Sequence, residues 1–182
     1  MAVISPKLTY EDLLETPDDG KRYEIIDGEL FVSASPILPH QKAVGYFFAR
    51  FLLPAEEAGL GTAFGREVDV VFDQHTVVEP DAIFILAEHS HIMAEAMVQG
   101  APDIVVEALS PSTSRRDLGI KKQLYAREGV PWYFVLDAKR KTVQPFELRA
   151  GVYHDLPELG EGDTLACPLL PGISVPVAAL FR

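Results

Sequence analysis

The sequence predicts a mixed α/β domain: a central β-sheet, a long helix ahead of it, one crossover helix within it, and antiparallel ribbons at its edges. Three observations carry that reading. Apolar Val44, Phe47, Phe48, Phe51 and Leu52 recur at helical spacing. Short apolar runs at 82–86, 103–109 and 131–137 have the length and β-branched content of buried strands. Between the last two, residues 115–129 read as a helix, the order strand, helix, strand that a parallel crossover requires. A chain of 182 residues, 48% hydrophobic and 24% charged, sustains one core, and no repeat, linker or composition break divides residues 1–182.

Taken in order, residues 1–20 are a lead-in plus a short helix, with Thr9 as N-cap, Asp12 completing a capping box, and Gly20 as the stop. RYEIIDGELFVS (22–33) is a hairpin, its Asp27-Gly28 pair supplying the positive φ of a tight turn. After a Pro-punctuated loop, Ser35 or His40 leads into the long helix, about four turns ending near residue 59. EVDVVFD (67–73) alternates, with Val68, Val70 and Phe72 on one face and Glu67, Asp69 and Asp73 on the other. AIFIL (82–86) and DIVVEAL (103–109) are central strands, separated by a short helix or ordered loop. Thr113 or Ser114 caps the crossover helix and Gly129 stops it. PWYFVLD is the next buried strand, antiparallel strands follow at 142–148 and 151–155, and residues 160–182 form a turn-rich closing segment.

Charge and composition exclude several functions. With 27 acidic against 16 basic residues the net charge is -11, so nucleic acid cannot be held by a broad basic surface and needs a local basic face or metal ions. One cysteine, Cys167, excludes an internal disulfide framework and a Cys-rich zinc site, and is most simply a small core residue. The sequence has no glycine-rich phosphate loop, no Gly-x-Ser-x-Gly elbow and no Cys-x-x-Cys. Apolar runs fall short of the roughly 18 residues that span a bilayer, and the opening residues lack a signal-peptide pattern. The expectation is a soluble cytoplasmic protein with no membrane partner.

The chemistry-bearing anomaly is Glu107, an acid within Asp-Ile-Val-Val-Glu-Ala-Leu. A buried carboxylate is destabilising by several kcal/mol unless paired or metal-bound. Alternation sets Glu107 on the face of Asp103 and Val105, opposite Ile104 and Val106. A structural ion pair or an exposed strand end is the alternative to a site. Asp81, after Pro80 at the start of another apolar strand, is a second acid, or else a strand-start cap. Two carboxylates on adjacent strands suit a hard cation such as Mg2+. Lys121 shares a helical stripe with Asp117 and Tyr125, while Lys122 shares one with Leu118 and Ala126; spacing does not choose between the two lysines. Arg115 and Arg116 open the crossover helix and read as a solvated face, with contact to a nucleic-acid backbone as the alternative, and Tyr125 reads as packing.

Asp81, Glu107 and a helical lysine, in the order strand, strand, helix, resemble the PD-(D/E)XK nuclease superfamily. Seven blocks resemble the Uma-type restriction endonuclease family within it: RYEIIDGEL, SPILPHQKAVG, VEPDAIFI, GAPDIVVEALSPST, DLGIKKQLYAREGV, YFVLD and GDTLACPLLPGISVP. The resemblance implies a restriction-endonuclease-like central mixed sheet and metal-dependent phosphodiester hydrolysis, with DNA the expected substrate. It makes Asp81 and Glu107 ligands of Mg (or Mn), adds the Ala108 carbonyl as a third, and selects Lys121 as the polar partner that orients water or stabilises charge. Glu24 is a further acid from the N-terminal region, and His40 either lines the cleft or caps the helix. One departure from the superfamily is clear: its lysine normally lies two residues after the second acid, where this chain has Leu109. Around Trp132, Tyr133 and Phe134 the chain also departs from the family's usual acid, tyrosine and tryptophan. The alternative function is a catalytically degenerate nuclease fold that binds nucleic acid or protein; a phosphoesterase of small nucleotides is a third. A homodimer would let two sites cut both strands.

Overall fold

A computed structural model of the chain describes residues 6–110 and 114–182, apart from the Arg115 side chain. The short apolar runs become the spine of a six-stranded sheet. Its members are β3 (Gly61–Phe64), β6 (Ala82–Leu86), β8 (Ile104–Ala108), β9 (Trp132–Asp137), β10 (Thr142–Arg149) and β11 (Val152–Asp155). Their spatial order is β11-β10-β9-β8-β6-β3, with β8 and β9 parallel and every other pair antiparallel. The parallel pair is joined by the expected helix, formed by α4 (Ser114–Arg116), a π-helical segment (Asp117–Lys121) and α5 (Lys122–Arg127). Gly129 stops it at φ +85°, a conformation that favours glycine. Ser114 lies inside that helix and is not its cap; the other candidate, Thr113, lies outside the described residues.

Strand alternation divides the core in two. Ala82, Phe84, Ile104, Val106 and Ala108 face one side, where the long helix and the closing segment cover them. Ile83, Ile85, Val105, Tyr133 and Val135 face the other, beneath Leu124 and Tyr125 of α5. The long helix runs as α2 (Leu38–Phe47), a π-helical segment (Phe48–Leu52) and α3 (Leu53–Glu57). Its wider turn stands just before Pro54, which lacks the N–H that an α-helical bond would need. Ile37 is its N-cap, so neither Ser35 nor His40 starts it; His40 sits within the first turn. Cys167 is a buried core residue.

A second sheet covers the α5 side of the first. It contains β1 (Arg22–Ile26), β2 (Glu29–Ser33), β4 (Val70–Asp73), β5 (Thr76–Val78) and β7 (Val98–Gln99), ordered β2-β1-β5-β4-β7. The predicted hairpin forms, with Asp27 and Gly28 at φ 54° and 85°, but it belongs to this sheet and does not edge the central one. β4 is shorter than the alternating run because Glu67 takes φ 70°, outside the strand region. The leading helix α1 (Tyr10–Leu14) carries the Thr9–Asp12 capping box but ends well before Gly20. The closing segment pairs β12 (Thr164–Ala166) with β13 (Ser174–Pro176). Among the described residues, no helix is long and apolar enough to cross a membrane.

Candidate active site

Register alone brings the two strand acids together. β6 and β8 pair Ala82 with Val106 and Ile83 with Val105, and one further antiparallel step sets Asp81 opposite Glu107. Alternation then turns both side chains to the α5 face, with Ile83 and Val105. Directly opposed cross-strand residues have Cβ atoms only about 4.5–5.5 Å apart, and like charges so placed repel. Both acids are buried, at 1% and 2% exposure.

Each carboxylate divides its two oxygens between different partners. Asp81 Oδ2 accepts the Ala108 N–H at 2.8 Å and meets His40 Nε2 at 3.0 Å. Glu107 Oε1 accepts Lys121 Nζ at 2.6 Å and the Tyr125 hydroxyl at 2.8 Å. The remaining oxygens face one guanidinium: Arg22 Nη2 donates to Asp81 Oδ1 at 2.8 Å, and Nη1 stands 3.9 Å from Glu107 Oε2. Arg22 also lies 3.5 Å from Glu79 through Nε.

Behind this pair, Lys121 is wholly buried and bridges two glutamates, reaching Glu24 Oε1 at 2.6 Å as well as Glu107. Glu24 also accepts the Glu79 N–H at 3.0 Å, and Arg116 lies 3.4 Å from its other oxygen. Arg116 donates to Ser33 too, so it is no solvated face. The competing Lys122 turns away to Asp155. Helical periodicity explains the choice: Asp117, Lys121 and Tyr125 share the buried stripe, and Lys122 falls on the outer face.

Electrostatics follow from burial and these pairings. Burial opposes ionisation of Asp81, but His40, Arg22 and the Ala108 N–H outweigh it and hold its pKa below the usual carboxylate value. Glu24 is likewise lowered, because Lys121, Arg116 and Arg22 overcome its burial. Glu107 goes the other way: burial pushes it up to about 8, against the pull of Lys121 and with help from Asp81, Asp117 and Glu24. Burial disfavours the charged form of Lys121, yet the carboxylates of Glu107, Glu24 and Asp117 raise its pKa above the ordinary lysine value, so it stays protonated.

The acids open into a cleft of about 250 Å³, lined among others by Arg22, Ser35, His40, Asp81, Glu107 and Arg116. An adjoining groove of about 520 Å³ shares His40 and Ser110 and continues to Ser114 and Lys139. Asp81, Glu107, Ala108 and His40 line the cleft or touch its acids, while Lys121 and Glu24 form a layer beneath Glu107. Three contributors escaped the sequence reading: Arg22, Arg116 and the hydroxyl of Tyr125. Arg22 could have been found, since alternation puts it on the same face of β1 as Glu24. Among the described residues, no group of three or more His, Cys, Asp and Glu side chains is arranged to hold a metal ion.

Comparison with known proteins agrees with the topology. A solved structure described as a putative nuclease of the DUF820 group from Anabaena variabilis superposes with a TM-score of 0.77 over 96% of this chain and 97% of that one, at 17% identity, which shows a shared fold. The type IIG restriction endonuclease BpuSI aligns over 61% of this chain and 11% of its own, at 13% identity; its TM-score of 0.38 is too low to relate the folds. No curated protein matches the chain. The profile of the family described as "Uma2: Putative restriction endonuclease" matches residues 10–178. With nearly its whole length matched and a restriction-endonuclease-like sheet beneath the match, the chain belongs to the Uma2 family.

Proposed function

We propose that this protein is a divalent-metal-dependent endonuclease that hydrolyses phosphodiester bonds, with DNA as its substrate. The observation that carries this reading is the opposed pair Asp81 and Glu107, each with one oxygen anchored by fixed donors and one turned toward a shared cation. The family's restriction-endonuclease description favours DNA. The donor set fits a hard cation, because Asp81 Oδ1, Glu107 Oε2 and the Ala108 carbonyl are all oxygens, the ligands that Mg2+ or Mn2+ prefers. Arg22 is a positively charged stand-in on the two carboxylate oxygens, which fits them for a cation.

When bound there, such an ion supplies Lewis acidity, lowering the pKa of a coordinated water and polarising the scissile phosphate. The chain's own residues do the rest. His40 and the Ala108 N–H fix the Asp81 carboxylate, and Lys121 and Tyr125 fix that of Glu107, so neither must reorganise as charge develops. Lys121, being protonated, is no general base. Two of its three N–H donors lie on Glu24 and Glu107, so it acts through the Glu107 carboxylate that it holds in place. Glu24 anchors that ammonium from below and is not a metal ligand in this assignment.

The test is cleavage of plasmid and single-stranded DNA with Mg2+ or Mn2+. Asp81→Asn and Glu107→Gln are each expected to lower the rate by about 100-fold or more, a loss typical of removing a preorganised electrostatic group, while circular dichroism shows the fold retained. Cleavage that persists unchanged in both variants refutes the assignment. A second reading, a nuclease-derived binding module, is favoured by one observation: both strand acids already have internal cationic partners. It predicts DNA binding without cleavage under every metal.

A further inference from the structure

We infer that Arg22 is a displaceable internal cation that competes with the divalent ion for Asp81 and Glu107, so that metal binding requires the guanidinium to leave. This rests on the assignment of the cleft as a metal site, and begins from a division of labour among its oxygens. Asp81 Oδ2 is saturated by the Ala108 N–H and His40, and Glu107 Oε1 by Lys121 and Tyr125. The Ala108 N–H is strand backbone, and the His40, Lys121 and Tyr125 side chains are buried. The oxygens left for an incoming ion are therefore Asp81 Oδ1 and Glu107 Oε2, and Arg22 faces both, at 2.8 and 3.9 Å.

Arg22 differs from the other partners in its freedom to move. It lines the cleft, and its side chain keeps 12% exposure where Lys121 keeps 1%. It has a second acid on hand, Glu79, 3.5 Å from Nε and itself 19% exposed. A guanidinium and a divalent ion on the same two oxygens would repel strongly at such short range and low dielectric. The geometry thus offers two states: the guanidinium closed over the acids, or rotated off them toward Glu79 with the ion in its place. In the closed state Arg22 relieves the repulsion between opposed carboxylates, and in the open state it faces the space that a substrate phosphate enters. Its planar fork suits either partner.

The experiment is calorimetric titration of the nucleic-acid-free protein with MgCl2 and MnCl2, using wild type, Arg22→Gln, Arg22→Lys and Asp81→Asn. Arg22→Gln is expected to bind the ion at least about fivefold more tightly than wild type, the lower end of typical coupling between two competing states. Arg22→Lys, a point charge unable to span both acids, should fall between them. In wild type, the Arg22 Nε–Hε resonance should shift as Mg2+ saturates the site; this readout needs no variant to fold. Affinities that are equal in wild type and Arg22→Gln, yet abolished in Asp81→Asn, overturn this inference and leave the metal site standing. Weaker binding in Arg22→Gln, or an Arg22 resonance unmoved at saturation, also overturns it. Absence of any Asp81-dependent ion binding in wild type and Arg22→Gln alike overturns the metal site itself and this inference with it.

Discussion

At the scale of single residues, Lys121 is the group whose loss the molecule should feel most. Its ammonium is wholly buried between Glu24 and Glu107, both 2.6 Å away. Removing one partner of a buried pair leaves an uncompensated charge, so Lys121→Met is expected to destabilise the protein by about 3–5 kcal/mol. Adding Glu24→Gln and Glu107→Gln to that variant should recover part of the loss, because the two acids that held the ammonium are then neutral; urea melts of the single and triple variants decide it. Glu107 makes a separate prediction about pH. In the unfolded chain it titrates near 4.5, in the native protein near 8, so between those values the native state holds the extra proton and stability falls as pH rises. Asp81, Glu24 and Lys121 act outside that window. Asp81 and Glu24, with lowered pKa values, contribute stability that is present above the ordinary carboxylate range and lost in stronger acid. Lys121, with a raised one, contributes stability that is lost only above the ordinary lysine range. The metal-free wild type should therefore melt at progressively lower temperature from mildly acidic to mildly alkaline pH, and Glu107→Gln should flatten that slope. An identical slope in both proteins would show that Glu107 is ionised throughout.

At the scale of elements, β3 is the most exacting contact of the central sheet. A Cβ built on Gly61 would stand 2.1 Å from the Ile85 carbonyl oxygen and 2.8 Å from the Phe84 ring, so only glycine lets β3 lie in register on β6. Gly61→Ala should destabilise the fold by about 1–3 kcal/mol through overpacking. Hydrogen exchange should rise in β3 and not in β8, because β6 keeps its pairing with β8 on the other edge; uniform loss of protection would mean that β3 is needed for the whole sheet. The same elements show what the sequence makes legible. β6, β8 and β9 were readable because continuous apolar runs at 82–86, 103–109 and 131–137 have no other stable use in a chain of this composition, and the helix between the last two dictated the parallel crossover. Asp81 and Glu107 were readable for the same reason: a carboxylate stands out against an apolar strand. The second sheet was not, since β5 and β7 span three and two residues, too few for any periodicity to register. His40 was ambiguous and Arg22 went unread because a lone polar residue at a helix start or in a hairpin reads as solvated, and only tertiary packing turned both toward Asp81.

At the scale of the whole molecule, the net charge of -11 sets the terms on which any nucleic acid can bind. Long-range attraction is absent, and approach works against the protein's own field. What the cleft and its adjoining groove offer is three cations set among acids: Arg22 and Arg116 line the first with Asp81, Glu107 and Asp117, and Lys139 the second with Asp137. Counterion release scales with the phosphates neutralised, so three contacts imply a slope of log affinity against log salt of about -2 on single strands and about -3 on duplex DNA. Fluorescence anisotropy of the Asp81→Asn variant across a NaCl series measures that slope without cleavage. Arg116→Gln should make it shallower by about one phosphate contact. A slope far steeper, of the order expected for about ten contacts, would demand a broad basic footprint that this acidic surface lacks, and would move the nucleic-acid interface away from the Asp81–Glu107 cleft.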